Sequence, residues 1–209
     1  MKSFSCLSLI FLLQLILLPV LLLSCPVPND TSLIEKTCKK TPYHDLCVSS
    51  LESNPNSSYA DVSGLAEIII DSALLNATDT LNYTRLLINQ MSDPTTERPL
   101  DYCAELYIPV VKYTLPQGKD AFDKGQYKFA LYCLSNAAKQ ADTCDKMFHD
   151  SIVKPLSDRN NIFRELCSVA VAIINIVLKD RAVCSVNSEL SVSQYRNLLT
   201  MTVLRKIQK

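Results

Sequence analysis

The 209-residue chain reads as an all-α protein: an up-down-up-down four-helix bundle preceded by an N-terminal helical hairpin. Three observations predict this. Three Gly and no Trp, set against abundant Leu, Ile, Val, Ala and Ser, favour helices over sheet. Apolar residues keep steps of three and four across the whole of 60–92, a period that a strand cannot hold. The remaining helical runs are joined by short polar segments, and short connections make neighbouring helices antiparallel.

Taken in order, residues 32–40 and 43–53 form two short helices around Pro42. SNPNSS at 53–58 is a loop. Val62, Leu65, Ile69, Ala73, Ala77, Leu81, Thr84, Ile88 and Met91 mark the face of the longest helix. Asn76 and Thr78 to Thr80 weaken its middle and invite a kink. SDPTTERP reads as a turn. Leu100, Cys103, Tyr107, Val111 and Thr114 form the next face, with Pro109 inside it expected to bend the helix. A short helical piece over 117–124 ends at Gly125.

In the segment 125–150, Ala130, Cys133, Ala137, Ala141, Cys144 and Phe148 fall on one helical face. Its small residues let a neighbouring helix come close. At its start Tyr127-Lys128-Phe129 sets a cation between two aromatics. That triplet suits entry into another protein's pocket, or it is an ordinary first turn with Phe129 packed inward. KPLSDRNN at 154–161 reads as a loop. Phe163, Leu166, Ala170, Ile173 and Val177 lie on a nearly all-apolar last helix, expected to be buried on several sides. No second apolar stretch after the leader reads as a membrane span.

Residues 1–24 read as a secretory signal: Lys2, the run FLLQLILLPVLLL, then Ser24 and Cys25 near the cut. Gln14 and Pro19 interrupt the run and no basic stop-transfer cluster follows, which disfavours an anchor. Four sequons follow, at Asn29, Asn56, Asn76 and Asn82. The expected product is a secreted glycoprotein, free of the membrane after cleavage. Cys6 leaves with the signal, so eight of nine Cys remain. In an oxidising compartment they read as disulfides before metal ligands. Cys38 and Cys47 flank a Thr-Pro turn, where they could clip the hairpin. Cys103 and Cys144 fall on core faces. Cys133 and Cys167 could each be a buried free thiol.

Charge is uneven along the chain. One base, Lys2, lies in 1–24, and five bases with one acid lie in 181–209. The 25–180 domain therefore holds 15 bases against 20 acids, net −5. Such a domain is a poor match for a nucleic-acid backbone. Residues 181–209 form an atypical basic tail. No G-x-S-x-G, H-E-x-x-H, P-loop or G-x-G-x-x-G occurs. His44 and His149, the latter beside Asp150, lack a nucleophile and orienting acid at motif spacing. No catalytic residue, metal site or cofactor is expected.

The segments TCKKTPYHDLC, LDYC, ADTCDKMF and RELCSVAVAIINIVL resemble the plant invertase and pectin methylesterase inhibitor family over roughly residues 30–180. The resemblance implies a four-helix bundle with a disulfide-clipped helical hairpin, disulfides Cys38–Cys47 and Cys103–Cys144, and members that block a carbohydrate-active enzyme and catalyse nothing. Its invertase-inhibitor branch carries Gly-x-Pro-Lys-Phe-Ala, held to enter the enzyme's active site. The corresponding stretch here is Gly125-Gln126-Tyr127-Lys128-Phe129-Ala130, with Tyr127 in the place of Pro. Leu115-Pro116 also resembles the Leu-Pro opening the preceding segment in that branch. The leading expectation is a secreted inhibitor of invertase, in the apoplast or cell wall, or else the vacuole. The alternatives are an inhibitor of pectin methylesterase on the same bundle, and a structural or storage glycoprotein of the wall.

Overall fold

The computed structural model describes residues 32–90, 93–149 and 153–207, with side chains as far as residue 182 apart from Pro94 and Thr95. The expected leader, Cys25 and Asn29 lie outside the described residues, as do Met91, Asp150 and the side chain of Cys184. The described residues are helical, with no strand among them.

Helices α1 (Leu33–Cys38) and α2 (His44–Glu52) form the hairpin, and Cys38 is bonded to Cys47 across it with Cα atoms 5.6 Å apart. Within the turn the Thr41 hydroxyl donates to the Cys38 carbonyl at 2.8 Å. A six-residue helix is too short to hold by itself. Here the covalent link and burial of both sulfurs fix it. His44 Nε2 lies 3.3 Å from Glu35 across the hairpin. The hairpin rests on the two helices described next as α3 and α7. The SNPNSS stretch is tighter than a loop. Residues Pro55–Tyr59 make a 3₁₀ turn, because Asn54 accepts from the Asn56 amide at 3.0 Å and Pro55 has no amide to satisfy.

Helix α3 (Val62–Gln90) starts where Asp61 accepts from the Gly64 amide at 2.8 Å. Leu65, Ile69, Ala73, Ala77, Leu81 and Thr84 are all buried along one face. The helix runs unbroken through the polar middle. Thr78 and Thr84 return their hydroxyls to the carbonyls of Leu74 and Thr80, each at 2.7 Å, so the hydroxyls are satisfied inside the helix.

Helix α4 (Pro94–Pro109) begins inside the expected SDPTTERP turn. Those residues are helix-start chemistry. Asp93 receives the amides of Thr96 and Glu97 on its carbonyl, and the Thr96 hydroxyl on its carboxylate at 3.0 Å. After Pro109 the helix widens into a π turn, Val110–Thr114, before α5 (Leu115–Asp123). Pro116 has no amide to give to the carbonyl four residues back, and its ring crowds that turn. A π turn, in which the Leu115 amide reaches the Val110 carbonyl, relieves the crowding.

Helix α6 (Tyr127–Met147) buries Ala130, Cys133, Ala137, Ala141 and Cys144, with Phe148 just beyond its end. Helix α7 (Ser157–Ile207) starts inside the expected KPLSDRNN loop, with the Asn160 amide bonded to the Leu156 carbonyl at 2.8 Å. Its backbone stays helical to Ile207. Residues 157–182 are, against expectation, long and apolar enough to cross a membrane. Phe163, Leu166, Ala170, Ile173 and Val177 are nevertheless buried in the bundle, which makes this the core helix. Helix α3 packs on α4 and α7, and α6 packs on α4 and α7, so the four long helices close a ring around one core.

One end of that ring is pinned by covalent and polar bonds together. Cys103 of α4 is bonded to Cys144 of α6, with Cα atoms 4.9 Å apart. Beside them the Tyr107 hydroxyl donates to Asn160 Oδ1 at 2.7 Å. The Asn160 amide donates to Asp145 at 2.6 Å and to the Cys144 sulfur at 3.3 Å. Arg164 adds Asp145 at 2.6 Å and Asp142 at 3.0 Å. Asn160 and Tyr107 are fully buried, so these bonds replace lost hydration. Burial pushes the Tyr107 phenol well above its ordinary value, so it remains a donor.

Urea unfolding is expected to rank these links. Replacing Cys103 and Cys144 together by Ala should cost about 4 kcal/mol, and replacing Cys38 and Cys47 about 3 kcal/mol, from the lengths of loop released. Tyr107→Phe should cost about 1–2 kcal/mol through the Asn160 acceptor it orphans.

Candidate functional site

The break between α5 and α6 is set by Gly125. Its φ is +72°, the left-handed region that an L side chain occupies only at a cost. The Gln126 amide bonds the Ala121 carbonyl at 2.8 Å and the Gly125 amide bonds the Phe122 carbonyl at 2.9 Å. Those two bonds close α5 as a Schellman motif. The chain then reverses, and the Phe129 and Ala130 amides return to the Gln126 carbonyl as α6 begins.

Behind the reversal α5 and α6 lie very close. A Cβ on Gly118 would stand 2.8 Å from Cys133 Cβ, inside contact distance. Cys133 and Cys167 are both free and buried. Burial pushes both thiols up, away from the reactive thiolate.

The triplet Tyr127-Lys128-Phe129 divides between core and solvent. Tyr127 is 8% exposed, with its ring edge-on to Phe122 at 5.3 Å. Phe129 points outward at 46% exposure and stacks at 6.2 Å on Tyr132, itself 64% exposed. The reading with Phe129 packed inward therefore exchanges the two aromatics. It is Tyr127 that goes in, because positions 127, 130 and 134 share the buried face. Lys128 is exposed, and among the described residues no acid pairs with it. The neighbouring cations are engaged: Lys124 with Asp120 at 2.7 Å, and Lys119 with Asp71 at 2.5 Å. Lys128 and Phe129, with Gln126 and Leu178 of α7, line an open groove of about 410 Å³.

The other expected site residues do not gather here. The disulfides lie in the hairpin and between α4 and α6. Asn56 is exposed on the 3₁₀ turn, Asn82 is exposed on α3, and Asn76 is half-buried with its side-chain oxygen shielded from solvent. His44 faces Glu35 and Asp45 on the surface of the hairpin. The hydrogen bond to Asp45, countered in part by desolvation and helped by Glu35, raises its pKa. No group of three His, Cys, Asp or Glu side chains among the described residues is placed to hold a metal ion. Sequence reading missed Asn160, hidden in a segment of loop-like composition, and Arg164, which follows Phe163 on the apolar last helix. It also missed Arg181, taken as the first residue of a polar tail, whose guanidinium lies over the Tyr127 ring at 5.2 Å.

The described residues thus make a helical bundle that presents an aromatic and cationic turn at its surface. The family model for the plant invertase/pectin methylesterase inhibitors matches residues 32–173. The chain belongs to that family, whose members are inhibitors and not enzymes. It is 36% identical over 156 residues to a cell wall/vacuolar inhibitor of fructosidase from Arabidopsis thaliana, covering 74% of each chain. It is 30% identical to a pectinesterase inhibitor from Actinidia deliciosa, over 72% of this chain and 82% of that one. The crystal structure of a mutant form of an Arabidopsis pectin methylesterase inhibitor shares the fold, with a TM-score of 0.60 at 23% identity, over 69% of this chain and 97% of that one.

Thermal unfolding should respond to Gly125 of the turn and to Gly118 of α5. Gly125→Ala is expected to cost about 1–2 kcal/mol through the left-handed backbone. Gly118→Ala should cost about 1–3 kcal/mol by forcing α5 away from Cys133.

Proposed function

We propose that this protein is a secreted proteinaceous inhibitor of plant invertase, a β-fructosidase, and that of the expected triplet Lys128 and Phe129 enter the enzyme's cleft while Tyr127, buried, holds them in place. The observation that carries the reading is the division of the triplet. Tyr127 anchors the turn from inside, while Lys128, with which no acid among the described residues pairs, and Phe129 are exposed side by side. The similarity to a fructosidase inhibitor supports the choice of target.

Retaining glycosidases hold two carboxylates close together, one of them ionised, so the pocket has negative potential. A cation that reaches in is attracted there, and an apolar neighbour excludes water and strengthens the attraction. The helix start and the Schellman closure fix the backbone beforehand, so little ordering entropy is lost on docking. The 25–180 domain carries net charge −5, and general attraction to an acidic cleft cannot stand in for Lys128. Lys128→Glu should therefore leave the fold intact and weaken inhibition of invertase by at least ~2 kcal/mol, the scale of an interface hot spot. Titration of the purified variant against the enzyme reads this directly. Wild-type inhibition by a folded Lys128→Glu protein would sink the plug.

Inhibition of pectin methylesterase is the second reading, supported by the pectinesterase inhibitor of Actinidia deliciosa. On that reading the contact runs along exposed bundle faces and depends on no single plug residue. Titration of the wild-type protein against both enzymes separates the two targets. Inhibition of neither, with no stable complex by gel filtration, would favour a structural or storage glycoprotein.

The same reading places the protein in the cell wall or vacuole, delivered by the signal at 1–24. The secreted form should then begin near Ser24 to Pro26. Its glycan should sit on Asn56 and be absent from Asn76, where it would have to displace the packing of α3. Glycopeptide mass spectrometry checks both points. A retained N-terminus, or an occupied Asn76, would contradict them.

A further inference from the structure

The turn that presents Lys128 carries Tyr127 just before it, and no proline ring fixes the backbone there. Two side chains meet the Tyr127 ring instead. The Phe122 ring meets Tyr127 on one side at 5.3 Å. On another, Arg181 of α7 sets its guanidinium over the same ring at 5.2 Å. Arg181 Nη1 also lies 3.6 Å from where a Cβ on Gly125 would stand, so the one cation covers both the left-handed glycine and the ring. Among the described residues no carboxylate pairs with Arg181, although Asp61 and Asp180 line the same groove of about 650 Å³ with it and Tyr127. Arg181 lies on α7 eight residues beyond the segment that the family model matches, 32–173.

We propose that Arg181 is a positioning residue for the inhibitory turn. By a cation–π contact it clamps Tyr127, and through Tyr127 it holds Gly125–Phe129 in the geometry that points Lys128 outward. The first helical turns beyond residue 173 thus complete the site. This proposal rests on the reading of Lys128 as the inserted cation, and its test separates the two.

Full-length wild-type protein, Arg181→Ala, Arg181→Lys, Tyr127→Leu and the Tyr127→Leu/Arg181→Ala double variant are compared in two measurements. The first is hydrogen exchange of the free protein, which needs no target. In Arg181→Ala the amides of Gln126 and Phe129 should exchange about threefold to fivefold faster, the scale of one exposed cation–π contact. Those of Ala137 and Ala141 should not change, and Arg181→Lys should fall between. The second is inhibition of invertase. Arg181→Ala should weaken it about threefold to fivefold, and should cause no further loss in the Tyr127→Leu background, since Arg181 acts through that ring. Unchanged exchange at Gln126 and Phe129 in Arg181→Ala overturns the clamp, whatever the target. Equal and additive losses in the two backgrounds overturn it too, since Arg181 would then touch the enzyme itself. A wild-type protein inactive against invertase would instead remove the functional reading, and the exchange data alone would then decide the clamp.

Discussion

The sulfur of Cys144 lies where three helices meet. It is bonded to Cys103 of α4 and receives the Asn160 amide of α7 at 3.3 Å, while belonging itself to α6. Tyr107, Asp145 and Arg164 complete the cluster with bonds of 2.6–2.7 Å. Nothing at this end can move without opening a disulfide or orphaning a buried polar group, each worth kilocalories. Because α6 is held here along its last turns, its first turn is held in direction as well, a helix being a stiff rod over that length.

The rest of α6 is governed by size. Ala130, Ala137 and Ala141 along it are buried with no exposed area, and Gly118 brings α5 almost into the Cys133 side chain. Small residues allow the backbones to approach, and the dense contact that results resists tilting. The Gly125 reversal then places the start of α6 at the surface, with its amides tied back to Gln126. An anchor at one end and close packing along the shaft leave the exposed turn with little conformational freedom to lose on binding.

Exposure on this surface is selective. Lys119 and Lys124 are paired with acids on their own or neighbouring helices, whereas among the described residues no acid pairs with Lys128. The aromatics divide in the same way, Tyr127 toward Phe122 and Arg181, Phe129 toward solvent and Tyr132. The stacked rings of Phe129 and Tyr132 thus lie at the surface on the same turns of α6 as the exposed Lys128.

The sequence by itself determined the helices, their buried faces and the family. A three-to-four residue period survives any tertiary arrangement, and Leu65 to Thr84, Ala130 to Phe148 and Phe163 to Val177 are buried as that period requires. Its errors fell at helix starts. Asp93-Pro94 and the segment before Asn160 have the composition of turns because capping and turn chemistry use the same residues. Only the tertiary structure decided which of Tyr127 and Phe129 faces inward, since two aromatics two apart at a helix start have no period to separate them. It alone brought Asn160 to Tyr107, 53 residues away in sequence, and Arg181 to Tyr127. Such contacts depend on how helices meet across the bundle, and a local pattern of residues carries no record of that.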